Sequence, residues 1–265
     1  MNNLHRELAP ITQAAWDQIE EEARRTFSRH VAGRRVVDVT GPVGPELAAV
    51  GDGRLRGIDP PTPDVIAHAR TSMPVIEWRV PFTVSREAVD GVERGCDDSD
   101  WQPVKDAART CAFAEDMAII DGYASAGITG LRDGSSHAPL ALPTDARDYP
   151  AAVSRALTQL RLAGVDGPYR LLLGADAFTE ATETSDHGYP VATHLTRLLD
   201  DPILWAPAVR GGVLLSTRGG DFELRLGQDL SIGYEDHDAH GVRLYLHQSF
   251  VFRMLTPEAA VPIVA

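Results

Sequence analysis

Between Gly41 and Pro63, ten of 23 residues are glycine or proline. Proline has no amide to give a ladder, and glycine loses the most backbone freedom on ordering, so this stretch excludes a regular helix and a central strand. It nevertheless feeds Pro74–Arg86, where Ile76, Trp78, Val80, Phe82 and Val84 alternate with Glu77, Arg79, Pro81 and Thr83. A period of two predicts a long strand, and Pro81 places it at an edge or in a projection. A loose leader running into a long strand reads as an arm. Its apolar face calls for a partner.

The rest of the chain fits a mixed α+β protein rather than alternating βαβ units. Ile11, Ala15, Ile19, Ala23, Phe27 and Val31 recur every four residues, predicting a helix over Thr12–His30 with one narrow apolar stripe. Gly33–Pro42 reads as a short β-branched strand ended by a turn. Asp100 opens a long helix to about Tyr123, with Val104, Ala107, Ala108, Cys111, Ala118 and Ile119 on one face. A further helix spans about Pro150–Ala163, Tyr169–Gly174 reads as a buried strand, and short helices at about 176–183 and 191–199 flank a loop at Ser185–Pro190. The C-terminal third is β-rich, with strands predicted at 209–217, 222–226, 230–235 and 242–255.

Charge and cysteine usage narrow the function. A net charge of −13 over 265 residues repels phosphate backbones, which argues against nucleic acid as a general partner. No run of eighteen apolar residues is present, so no membrane partner is expected, and Met1–Leu8 lacks the pattern of a secretory signal. Cys96 and Cys111 have no Cys or His at metal spacing, and the cytoplasm is the expected compartment.

Catalytic candidates are thin. Glu235–His240 holds five acid or imidazole side chains in six residues, but it joins two predicted strands and reads as a solvated hairpin tip, so no metal site is expected. Gly51–Gly57 lacks phosphate-loop spacing, and Gly134-Ser-Ser-His lacks the nucleophile elbow. Glu115 and Asp116 are adjacent on a helix and point about 100° apart, which suits arginine partners better than shared acid–base work. No catalytic residue and no cofactor are expected. A hydrolase, peptidase-like or bacteriocin-like protein and a DNA-packaging capsid subunit stand as alternatives.

Several separated motifs carry a family resemblance. Asn3–Pro10, Gly33–Pro42, Glu115-Asp116, Gly167-Pro-Tyr169, the seventeen-residue run Arg218–Tyr234 and Pro257–Val261 stand in the order found in encapsulins. The chain resembles the mycobacterial and actinobacterial shell proteins of that family, formerly described as linocin or bacteriocin-like. The resemblance implies an α+β tailed-phage major-capsid-like fold of the Hong Kong 97 type. It places the N-terminal helix and the start of the peripheral domain at 1–50, the extended loop at 51–86, the peripheral domain with its long helix at 87–129, the axial domain at 130–209 and the returning peripheral strands at 210–265.

It also implies an icosahedral homo-oligomer that encloses cargo enzymes, such as a dye-decolorising peroxidase or a ferritin-like protein, docked by a C-terminal peptide. The implied cargo-binding residues are Phe27, Val31, Arg34, Val36, Asp38, Asp229, Leu230, Ile232 and Tyr234. Asp186, His187 and Gly188 fall where such shells line a pore, and Ile76, Trp78, Val80 and Phe82 on the inter-subunit arm. The implied setting is a cytoplasmic nanocompartment, with release as the route to any extracellular appearance.

Overall fold

The computed structural model describes residues 3–199 and 201–265. Helix α1 (Gln13–His30) starts where the Thr12 hydroxyl accepts the Ala15 amide at 3.3 Å, and it buries Ala15, Ile19, Ala23 and Phe27 along one stripe. The strand expected from Gly33 is shorter than its composition suggests. Gly33–Arg35 form a 3₁₀ turn, and only β1 (Asp38–Thr40) is extended. Close packing decides this: a Cβ at Gly33 would stand 2.8 Å from Ile119 and 3.1 Å from Asp116.

The glycine- and proline-rich stretch does contain a strand. β2 (Ala49–Ile58) pairs with β3 (Ala67–Pro74) in a two-stranded antiparallel ribbon that has no third strand. Pro60, Pro61 and Pro63 fall in the ribbon's tip, where no ladder amide is needed. Asp52 accepts the Arg54 amide and the Thr71 hydroxyl at the irregular register near Gly51. Leu55, Ile58, Val65 and Ile66 are exposed on the ribbon, Ile66 to 88%.

β4 (Ile76–Ser85) is an edge strand, as Pro81 demands, but it does not project. Phe82 is buried, Trp78 and Val80 are half-buried in a core shared with α1 and α3 (Gln102–Ile120), and the Trp78 ring meets Phe250 edge-on at 4.9 Å. Ile76 packs against the neighbouring core. The face of Ile76, Trp78, Val80 and Phe82, expected to await another subunit, is thus covered by this chain itself. The long helix lies over the same side of the strand and uses that apolar surface. Within residues 49–85, the exposed large apolar side chains are those of the ribbon, Leu55, Ile58, Val65 and Ile66.

Ser85 caps a helix absent from the sequence reading, α2 (Arg86–Glu93), by accepting the Ala88 amide. The main sheet runs β1-β11-β12-β4, with β11 (Phe222–His237) and β12 (Gly241–Met254) as its long antiparallel centre. β11 was expected as two strands. It is one strand, bent by register shifts between Leu226 and Ser231, where Gly227 sits against Ser249.

A second sheet, ordered β5-β13-β10-β6-β9, joins β5 (Leu140–Ala141), β6 (Tyr169–Leu173), β9 (Leu204–Trp205), β10 (Gly212–Ser216) and β13 (Ala260–Val264). Helices α4 (Tyr149–Leu162), α5 (Ala175–Glu183) and α6 (Val191–Leu199) pack with it. The stretch after residue 209 is therefore divided between the sheets, because β10 pairs with β6 and β13 pairs with β10. Between α5 and α6 a small hairpin forms from β7 (Ser185–Asp186) and β8 (Tyr189–Pro190).

Candidate functional site

Residues 3–8 cross back from the start of α1 to the bend of β11, and a groove of about 750 Å³ opens between these elements. The stripe of α1 supplies Ala23, Phe27 and Val31 as its floor. β11 supplies Leu230 and Ile232 as the facing wall, and Leu4 lines the groove beside them. The rim is charged with both signs, including Asp17, Glu21, Arg24 and Arg35. An apolar floor with a mixed polar rim suits a peptide that buries small hydrophobic side chains and keeps its polar groups wet.

Arg34 stands between the walls. Its Nε and Nη2 donate to the two carboxylate oxygens of Glu115 at 2.6 and 2.8 Å, its Nη1 donates to Asp229 at 2.8 Å, and its guanidinium lies 4.8 Å from the Phe27 ring centre. Burial opposes its charge, yet the two carboxylates hold the guanidinium protonated beyond its ordinary range. Gln248 donates a further bond to Glu115 at 3.0 Å. Asp116, one residue on, turns the other way and accepts the amides of Ala32 and Gly33 at 2.7 to 3.0 Å. Burial pushes its carboxyl up to about 7, against the pull of those amides. The adjacent acids do diverge, one to an arginine and one to a helix-to-turn junction, so together they brace the groove from behind.

Six expected groove residues meet here: Phe27, Val31, Arg34, Asp229, Leu230 and Ile232. Three do not. Val36 is buried in the other core. Asp38 accepts the Gly220 amide at 2.6 Å beside a separate small hollow. The resemblance implied both, and the 3₁₀ turn at Gly33–Arg35 directs them away from the groove. Tyr234 backs the wall: its amide donates to the Leu4 carbonyl at 2.8 Å, and its hydroxyl meets His237 Nδ1 at 2.7 Å. Leu4 was missed because its contact spans 230 positions, although it lies inside the N-terminal motif.

Asp186, His187 and Gly188 form the tip of the β7–β8 hairpin. His187 and Gly188 hold φ of 46° and 86°, the two left-handed positions of a tight hairpin turn, and the His187 side chain is 94% exposed. Among the described residues nothing encloses that imidazole, with Asp186 3.7 Å away.

The other polar clusters are satisfied locally. Asp238 caps its own turn through the His240 and Gly241 amides, and Asp236 pairs with Arg243. Ser135 donates to the Ala260 carbonyl, while the His137 ring meets the Glu258 carbonyl, so the two form no nucleophile–base pair. Among the described residues no three His, Cys, Asp or Glu side chains gather to hold a metal. Nor is any described helix long and apolar enough to cross a membrane.

Residues 1–251 match the family model described as encapsulating protein for peroxidase. A type 1 encapsulin shell protein of Rhodococcus erythropolis is 65% identical over 263 residues, covering 99% of this chain and 100% of the relative. The type 1 encapsulin shell protein of Mycobacterium tuberculosis is 57% identical, covering 99% of each chain. Among solved structures, the virus-like particle of Pyrococcus furiosus superposes with a TM-score of 0.65 at 13% identity, over 92% of this chain and 97% of that one. The capsid of a native GTA particle gives 0.54 at 18% identity, over 91% of each. At such identities the likeness speaks for the fold alone, and that fold is capsid-like.

Proposed function

This chain belongs to the encapsulin shell-protein family, and on that premise we propose that it encloses an enzyme held in the groove between α1 and β11 by a C-terminal peptide of that enzyme. The shell role itself is structural: the subunit self-assembles into a multimer with a capsid-like fold and performs no catalysis. What carries the docking reading is the groove's construction. Phe27, Val31, Leu230 and Ile232 present apolar surface from two elements, and the Arg34–Glu115–Asp229 network fixes the distance between them.

The family description names a peroxidase as the enclosed protein, which supports a dye-decolorising peroxidase as cargo; a ferritin-like protein is the second cargo class in this proposal. The exposed Asp186–His187–Gly188 tip is the pore candidate. Repeated around a symmetry axis, its carboxylate would favour small cations. The ribbon β2–β3, with Leu55, Ile58, Val65 and Ile66 uncovered, is the arm that reaches a neighbouring subunit. The compartment is the cytoplasm, and the net charge of −13 suits a protein content over a nucleic-acid one.

Co-expression with a dye-decolorising peroxidase tests the docking. Shells carrying Leu230→Asp should assemble and purify without haem absorbance, whereas wild-type shells carry it. Equal loading of both would remove the groove from the account. Leu230 is the residue of choice because it is half-buried at the wall, whereas a charge at buried Phe27 would disturb the fold.

A further inference from the structure

The stretch from residue 3 to residue 8 does more than lead into α1. At one end it is tied to the main sheet. Tyr234 N–H donates to the Leu4 carbonyl at 2.8 Å, Asn3 Nδ2 donates to Gln228 at 3.2 Å, and the Tyr245 hydroxyl donates to the Asn3 carbonyl at 3.3 Å. Gln228 is itself oriented by His247 Nε2 at 3.1 Å. At the other end it is tied to α1, where Arg6 pairs with Glu20 and its guanidinium lies 4.2 Å from the Trp16 ring centre. The strap therefore joins the two elements that form opposite sides of the groove. Leu4, 7% exposed, lines the groove between those ties.

We infer that Leu4 is a specificity-determining wall of the docking groove and that the strap sets the groove's width; this rests on the docking function proposed above. The occupant is an extended peptide with apolar side chains, and Leu4 limits the size of the one that lies against it. The ties explain how six residues without a buried 3₁₀ turn hold such a wall in place: each end is fixed by polar contacts, so the Leu4 side chain need not be anchored by a core of its own. The size limit follows from close packing, since one or two misfit methylenes in an apolar pocket change preference by roughly tenfold or more.

The test uses assembled shells co-expressed with a fluorescent protein that ends in a randomised octapeptide. Shells are isolated by size and counted by electron microscopy, and the retained tails are sequenced by mass spectrometry. Wild-type shells should retain tails with a restricted apolar side chain at one position. Leu4→Ala should shift that position alone to larger side chains, such as Phe and Trp. Leu4→Trp should cut retained fluorescence per shell by about tenfold. Identical tails and equal retention in Leu4→Ala and wild type would overturn the inference while leaving the groove in place. Retention by wild-type shells no better than that of a tail-less fluorescent protein would overturn the groove itself, and the inference with it. If Leu4→Trp shells do not form, the Leu4→Ala comparison decides alone.

Discussion

Arg34 grips Glu115 through two parallel hydrogen bonds, Nε and Nη2 to the two carboxylate oxygens, behind the floor of the groove. Glu115 has no solvent exposure, and its carboxylate is held by this arginine and by Gln248. Removing the arginine leaves a buried carboxylate without its counter-charge. Arg34→Ala should therefore cost about 3–5 kcal/mol, read as a fall in the urea midpoint of unfolding. Arg34→Lys should recover only part of the loss, because an ammonium cannot form the paired bonds.

Asp116 makes stability depend on pH in a stated direction. Its carboxyl titrates at about 7 in the fold, raised from an ordinary 3.8 by burial. Between those values the folded chain keeps a proton that the unfolded chain has released. This contribution is complete below about pH 4 and is lost as pH rises through about 7. Asp116→Asn keeps an acceptor for the Ala32 and Gly33 amides and cannot titrate. The melting temperature of wild type relative to Asp116→Asn should therefore fall from pH 5 to pH 8. A difference that is flat or rises with pH contradicts the assignment.

The two cysteines should separate cleanly in a thiol assay. Burial pushes the Cys111 thiol up to about 12, with the Glu115 charge adding to the effect, while Cys96 is partly exposed beside Asp98. Native protein should yield one reactive thiol per subunit and unfolded protein two. Cys96→Ser should abolish the native signal.

Ile66 is the most exposed of the large apolar residues on the ribbon. If the ribbon clasps a neighbour, Ile66→Asp places a charge in that contact and costs nothing inside the subunit. Particle yield should drop sharply while circular dichroism of the soluble subunit stays native. Undiminished assembly would move the clasp elsewhere.

The elements that could be read from sequence are those whose period is set by their own packing. The four-residue stripe from Ala15 to Phe27 faces one core, the alternation from Ile76 to Val84 puts one face of its strand inward along both cores, and both formed where expected. What misled was the destination of the β4 face. Alternation reveals that a face is buried but not what buries it, and here α3 lies on it. The ribbon β2–β3 hid behind its glycines and prolines, since a two-stranded arm without a core needs no apolar alternation. β13 is five residues long and carries Pro262, so its place between β5 and β10 is fixed only by tertiary contact. The groove was legible in part. Phe27, Val31, Arg34, Asp229, Leu230 and Ile232 came together, while Val36 and Asp38 were carried off by one turn of 3₁₀ geometry at Gly33. Leu4 reaches Tyr234 across a separation that no local pattern encodes.

A subunit of this family and fold should build a closed shell. Electron microscopy of the purified protein at physiological ionic strength tests it most directly. Uniform, hollow, icosahedral particles are expected, eluting from size exclusion far above the 28.7 kDa of one chain. A population consisting only of monomers or small oligomers, with no closed particles, would contradict it.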